Sequence, residues 1–522
     1  GMYLREPEFK PILRAKAIAF ENAAGRDREV LDELGNTVLY GHPDAQAILT
    51  KIQVENDRLL ILRNTVEGER PAGFVSYREI GNEDLFGVLK DMELANLVRG
   101  KSSREILLIT GIYAREDGTG DSGVIRDAPQ QLLVEVLAKE LEKNYSFALF
   151  VAERGTVTKE VVYVLERQGF IRPHMADEND KRTIYMVDMH EPLMFLHNLD
   201  TTIKEPFASN PAVLDAVEKN HKKLQIAMTK LYPGNLVLSL SSGIMYHRLV
   251  DRITALNDVP REPLVPRRLG KNMCVPFGKI LRGKVVPNTV TKTLHTDKVY
   301  EPDLNSFTIE PFPYYSPLKS QIETIKSFDR PVILVDDLVH TANRLQVLVP
   351  QLREDGIPIK KVVVGVLSGY GRDLMQCLKV PVESIYSMPN LRQWFVESTL
   401  YPFIGGDTVR REEMKVAGLQ PSINMILPYA TPRLSGCSRE ALVEFSACCI
   451  ENSRDLFQVL EAEYRKMYAK NLTLSRLSEA VILPLCPDKG SCMEYDENLA
   501  ASVYLENDLE TLWRMKEFLI KG

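Results

Sequence analysis

The chain predicts an α/β protein in three parts: a mixed sheet with helices over residues 1–203, a doubly wound parallel-sheet domain over 204–436, and a helical C-terminal annex over 437–522. Three observations carry this reading. The apolar runs PVILVDDLV (331–339) and KKVVVGVLS (360–368) are each followed by a helical pattern, as in parallel strands covered on both faces. Residues 1–203 hold strand patterns interleaved with helices, and from about Cys437 strand patterns stop. There ENSRDLFQVLEAEYRKMYAKN is apolar at a helical period.

After two early helical segments, DRLLILRN (57–64) and ERPAGFVSYREI (69–80) read as successive strands, and REILLITGIYARE (104–116) as a longer one. The glycine-rich DGTGDSG (117–123) leads into a helix over 127–144 with Leu132, Val136, Leu137 and Leu141 on one face. SFALFVAE is the next strand, a helix ending in VLERQGF follows, and RTIYMVDM closes the unit. The Pro-containing KEPFASNPAV (204–213) is the expected linker. Then come a helix, AVLDAVEKNHKKLQIAMTKL, and GNLVLSLSSGIMYHRLVDRI (234–253), read as strand, short polar turn Ser241-Ser242-Gly243, and helix. In the segment after Asp336 and Asp337, Leu345, Leu348 and Leu352 have helical spacing that stops at Gly356, with Pro350 removing one backbone donor.

Composition bounds the function classes. Of 522 residues, 44% are hydrophobic and 26% charged, ordinary for a soluble protein of two to four domains. No run of about 18 apolar residues suggests a membrane span, and GMYLREPEFK does not read as a signal peptide. Seven scattered cysteines form no disulfide framework, so a reducing, cytoplasmic setting is expected. The net charge of −6 argues against nucleic acid as a partner. Against that acidic average, Arg267 to Lys292 carries seven basic residues and no acid, so its partner is expected to be an anion.

Small residues at a strand's end and a helix N-terminus both favour anions, because backbone N–H groups can approach closely. In α/β sheets ligands bind beyond the carboxyl ends of the strands, which is where Asp336, Asp337 and the turn His340-Thr341-Ala342-Asn343-Arg344 fall. This arrangement resembles the ribose-phosphate motif of the type I phosphoribosyltransferases. The resemblance covers about a dozen positions. It implies that Asp336 and Asp337 face the ribose hydroxyls of phosphoribosyl pyrophosphate (PRPP) and that residues 340–344 hold its 5′-phosphate. Ser241, Ser242 and Gly243 would bind pyrophosphate, Arg282, Lys284 and Lys292 would close over it, and Mg²⁺ would accompany it. The turn departs from the family's Thr-Thr-Gly-x-Thr: Ala342 replaces the glycine, where a Cβ disfavours left-handed backbone, and Arg344 replaces the last hydroxyl.

The order of elements in residues 1–203, with the helix ending in Gly169-Phe170, resembles the GNAT N-acetyltransferases. That resemblance implies that backbone N–H groups around Gly118, Thr119 and Gly120 wrap the pyrophosphate of acetyl-CoA. The family's Arg-x-x-Gly-x-Gly/Ala spacing is absent, and Leu165 stands where many members place a general-acid Tyr, with Tyr163 two positions away.

Three functions follow as expectations. The first is PRPP-dependent transfer to a small nucleobase-like or other nitrogenous acceptor, with an accessory GNAT-like domain. The second is acetyl-CoA-dependent N-acyl transfer by the N-terminal part, and the third is non-catalytic sensing of PRPP or a nucleotide. Trp394 and Phe395 are candidates to stack on a planar acceptor, and the annex could support a homodimer.

Overall fold

The computed structural model describes residues 18–65, 68–102, 105–115, 127–173, 179–411, 418–489 and 494–521. The chain divides into two compact units. The first runs to Met194 and adds Tyr232–Ser239 and Met388–Gln393, and the second holds Phe195–Leu231, Leu240–Ser387 and the chain from Trp394 onward. This differs from the division at 203 and 436 expected from sequence.

The first unit contains β1 (Ile18–Ala24), α1 (Arg28–Asn36), α2 (Ala45–Glu55), β2 (Arg58–Asn64), β3 (Arg70–Ile80), α3 (Leu85–Leu89), α4 (Met92–Lys101), β4 (Ile106–Ala114), α5 (Ala128–Glu140), β5 (Phe147–Glu153), α6 (Lys159–Arg167) and β6 (Arg182–His197), whose end from Phe195 belongs to the second unit. The strands follow in the order β1-β2-β3-β4-β5-β6. Neighbours are antiparallel except β4 and β5, which run parallel and pair only over Leu107–Ile109 with Ala148–Phe150. The order of helices and strands is the one expected for a GNAT-like sheet. Its core is apolar: Leu132, Val136 and Leu137 of α5 are fully buried, as their spacing predicts.

The glycine of Gly169-Phe170 has a clear physical cause. Its φ is +94°, and a Cβ there would lie 2.2 Å from the Asn235 carbonyl oxygen. Asn235 opens a strand that pairs with β6, and Asp188 N–H donates to Gly234 O at 2.7 Å. That pairing is why residues beyond 203 belong to the first unit.

The remaining elements are α7 (Pro211–Thr229), β7 (Asn235–Ser241), α8 (Ser242–Leu256), β8 (Met273–Pro276), β9 (Val290–Thr291), β10 (Thr296–Tyr300), β11 (Phe307–Pro311), α9 (Leu318–Lys326), β12 (Val332–Val339), α10 (Asn343–Glu354), β13 (Ile359–Ser368), α11 (Gly369–Leu378), β14 (Val382–Met388), β15 (Gln393–Val396), β16 (Asp407–Val409), β17 (Gln420–Ile423), α12 (Arg439–Tyr468), β18 (Leu485–Pro487) and α13 (Ala501–Lys521). One sheet has the order β14-β13-β12-β8-β9, with β12 parallel to both β13 and β8. Alternate residues of β12 face opposite ways. Val332 and Leu334 join Ile322, Leu345, Leu348 and Met375 from α9, α10 and α11 in one core. On the other face, a Cβ at Gly365 of β13 would meet Met245 of α8, so helices cover both sides. This is the parallel sheet predicted. The strand before Ser241, β7, is not part of it and pairs with β6 instead.

A second sheet, β11-β10-β16-β17-β18, draws its last strand from the C-terminal annex. The annex is also joined to α7, since buried Asn220 and Asn452 exchange side-chain to carbonyl hydrogen bonds of 2.9 and 3.0 Å. It therefore belongs to the second unit and is no separate domain.

Candidate functional site

The carboxyl end of β12 gathers the acidic pair. Asp337 accepts backbone N–H bonds from Lys279 (2.9 Å) and Ile280 (3.0 Å), the loop just after β8, while Asp336 accepts from Asp337 N–H at 2.8 Å. The loop can come this close because residue 278 is glycine. A Cβ there would stand 2.5 Å from an Asp336 oxygen and 2.7 Å from an Asp337 oxygen. Burial, reinforced by the Asp337 charge, pushes the Asp336 carboxyl up to about 7.

Positive charge faces this pair. Arg282 is partly buried, with its guanidinium 4.9 Å from the Phe312 ring centroid and within electrostatic reach of Asp337 and Arg344. Burial and then the Arg344 charge lower its pKa, while Asp297 and Asp337 oppose this by favouring the cation. Arg344 Nη1 donates to Phe277 O at 3.2 Å. Two cations and two carboxylates thus share the strand end.

The turn 340–344 forms the start of α10. Ala342 takes the left-handed conformation that a Cβ disfavours, with φ +51°, and precedes the first helical residue. A Cβ at a left-handed position stores strain in this turn. Asn343 Nδ2 donates to Thr341 Oγ1 at 2.8 Å, and Thr341 is exposed. His340 Nδ1 lies 2.7 Å from Ser368 Oγ, which also accepts from Gly371 N–H at 2.9 Å. Burial lowers the His340 pKa, favouring the neutral ring. Helix α10 runs through Pro350, whose ring is on the exposed side.

Other sequence-predicted residues fall elsewhere. Ser241-Ser242-Gly243 does not form a loop, because β7 passes directly into α8: Ser241 Oγ caps the helix by accepting from Ile244 N–H at 3.5 Å, and Ser242 and Gly243 are buried in its first turn. Lys284 stands 4.2 Å from the Tyr246 ring centroid and within electrostatic reach of Asp200. Lys292 is exposed, its backbone N–H donating to Cys274 O at 3.0 Å. Of the three basic candidates, Arg282 is the one the structure brings into electrostatic reach of the acidic pair. Phe395 is a core residue against Phe445, whereas Trp394 is exposed. The Gly118, Thr119 and Gly120 loop lies outside the described residues. In α6, Leu165 is fully buried and Tyr163 is exposed beneath Arg167, so neither takes the expected general-acid place.

Sequence reasoning missed the Gly278-Lys279-Ile280 cradle. The signal was a glycine in the middle of the basic segment. It also missed a pocket in the first unit lined by Arg154, Lys159, Arg172, Arg182, Thr158 and Tyr185, whose basic residues come from separate elements.

No protein-family model matches the chain, and no curated protein matches it. Solved structures similar to it include the NatC complex bound to Gag peptide and CoA, at 11% identity over 33% of this chain and 98% of that chain, with a TM-score of 0.22. The catalytic domain of the Tetrahymena GCN5 histone acetyltransferase in complex with coenzyme A shares 11% identity over 33% of this chain and 93% of that one, with a TM-score of 0.23. A GNAT-family acetyltransferase from Listeria monocytogenes shares 14% over 33% of this chain and 94% of that one, with a TM-score of 0.22.

Proposed function

We propose that the second unit binds a ribose phosphate of the PRPP type and transfers its ribosyl group to a nitrogenous acceptor. The observation that carries this reading is the pair Asp336-Asp337 at the carboxyl end of a central parallel strand, held by the Gly278 loop with Arg282 and Arg344 alongside. Carboxylate oxygens suit ribose hydroxyls, and the guanidinium groups suit phosphate. Hard oxygens from Asp336, Asp337 and the ligand's phosphates are also the donors that Mg²⁺ prefers, and the ion would screen the pyrophosphate charge. In the reaction the C1–O bond to pyrophosphate breaks and a bond from C1 to the acceptor nitrogen forms. The protein's part is positioning and charge control. Asp336 and Asp337 orient the ribose and face the positive charge that develops on it, while Arg282 and Arg344 receive the anionic ends.

Calorimetric titration with PRPP and Mg²⁺ tests the reading. Wild type is expected to bind, and the double variant Asp336→Asn/Asp337→Asn is expected to lose most of the affinity. No binding by folded wild type would overturn it. Binding without ribosyl transfer to any of a panel of nucleobases and amines would instead favour a sensor.

A second reading is acyl-CoA-dependent N-acyl transfer by the first unit. It is supported by the GNAT-like order of elements and by the pocket that Arg154, Lys159 and Arg172 line beside the Asp180-paired Arg182, whose basic side chains suit a polyanionic ligand. Acetyl-CoA binding should survive the Asp336/Asp337 substitutions and vanish when residues 118–123 are rebuilt. If acetyl-CoA does not bind wild type, the first unit is a scaffold.

A further inference from the structure

Among the described residues, one cluster away from the acidic pair brings together side chains of the kind that ligate metals: His197, His221 and Glu397. They come from the end of β6, the middle of α7 and the turn after β15, and all belong to the second unit. Their ligand atoms lie within 4.8 Å of one another. His197 Nδ1 is 3.1 Å from His221 Nδ1 and 3.9 Å from Glu397 Oε2, and His221 Nδ1 contacts the same Oε2. In a tetrahedral site with bonds of about 2.0–2.1 Å, neighbouring ligand atoms stand about 3.4 Å apart; the two separations from His197 straddle this value, and the closer His221–Glu397 contact must open to admit an ion.

The surroundings fix each group. Glu397 is fully buried, and its Oε1 accepts from Leu199 N–H at 3.0 Å, which turns Oε2 toward the imidazoles. Asn198, next to His197, is clamped to Ser398, next to Glu397, by bonds of 3.0 and 2.9 Å. Gln225, one helical turn from His221, places its amide 3.2 Å from His197 Nε2, the ring atom opposite the cluster. With this amide turned over, the Gln225 oxygen accepts the His197 Nε2–H and leaves Nδ1 free to ligate, the kind of partner metal-bound histidines characteristically have on the second nitrogen.

His197 Nδ1 and His221 Nδ1 both face Glu397 Oε2, and the two imidazole nitrogens also face each other. With both rings neutral and their Nδ1 lone pairs turned inward, a cation at the common point satisfies three lone pairs at once. A fully buried carboxylate needs compensating positive charge in any case. The histidine side chains keep 15% and 22% exposure, so an ion can reach them.

We propose that His197, His221 and Glu397 form a binding site for a divalent transition-metal ion of the zinc type, with a coordination position left open. Two imidazoles and one carboxylate are a ligand set suited to Zn²⁺ or Fe²⁺ and poorly suited to Mg²⁺. Asp200, on the 3₁₀ turn Leu199–Thr202 and within electrostatic reach of His221 and Glu397, is a further oxygen donor.

The test uses full-length protein stripped with a chelator and shown to be folded by circular dichroism. Titration with ZnCl₂ should show one tight equivalent, and CoCl₂ should give the visible d–d bands of a low-coordinate site. His197→Gln should lower Zn²⁺ affinity at least a hundredfold, and Gln225→Ala, outside the ligand set, about 10- to 100-fold. MgCl₂ should not compete. The proposal is overturned if stripped wild type binds no Zn²⁺, or if wild type and both variants bind it equally, which would place the metal on other histidines. Should either variant fail to fold, the cobalt spectrum and stoichiometry of wild type still decide.

Discussion

Asp336 and Asp337 are neighbours in sequence but are held differently. Asp337 receives two backbone N–H groups from residues 279 and 280, whereas Asp336 receives one and is pushed up to about 7 by burial and by its neighbour's charge. An unfolded Asp titrates near about 3.9, so between roughly pH 4 and 7 the folded state holds a proton that the unfolded state lacks. The stability linked to Asp336 is therefore fully present below about pH 4 and is lost as pH rises through about 7. Asp336→Asn should remove this slope, changing the difference in unfolding free energy between pH 4 and 8 by on the order of 4 kcal/mol. Urea melts of both proteins across that range would show it, and parallel pH curves would refute it. Ala342 offers a second residue-scale test. With φ at +51°, Ala342→Gly should stabilise the protein by about 1 kcal/mol, while Ala342→Val should destabilise it. Unchanged denaturation midpoints would show that the turn relaxes. At this scale the acidic pair was legible because it sits next to an apolar run. The His197, His221 and Glu397 cluster was not, since its members are separated by 24 and 176 residues and form no local pattern.

Elements were read more accurately than the pairings among them. Strands β12 and β13 announced themselves through continuous β-branched runs, and α10 through its leucine spacing. Strand β7 was also visible, yet an apolar run cannot say which sheet will accept it. Its pairing with β6 depends on Gly169 allowing a carbonyl to approach, which is a long-range fact. The same kind of close approach joins α11 to β12. A Cβ at Gly371 would lie 2.3 Å from Val339 O, in the backbone just before His340. Gly371→Ala must shift α11 away from the strand, at a cost of about 1–3 kcal/mol, and should disturb the bond from His340 to Ser368. Thermal melts would report the first effect, and the pKa of His340 followed by NMR would report the second, rising toward its ordinary value as the ring gains solvent. A melt and a titration both like wild type would mean that the helix moves without strain.

For the whole molecule, the sequence placed an independent helical annex from residue 437, because helical periodicity with no chemical motif looks the same whether a helix stands alone or completes another domain. The structure places these helices inside the second unit. Helix α12 buries Phe445, Leu456, Phe457 and Leu460, shares reciprocal amide bonds with α7 through Asn452 and Asn220, and is followed by β18, which completes the sheet containing β10 and β16. Helix α7 carries His221, so removing its partner also loosens the cluster at Glu397. A chain ending at Gly436 should therefore fail to fold in its second unit. It would expose Val213, Val217 and Leu224 of α7 and leave β17 with an unpaired edge, which favours aggregation. Soluble yield, a cooperative melt and uptake of PRPP by the shortened chain are the measurements. If all three match those of the full-length protein, the annex is dispensable and α7 finds its core elsewhere.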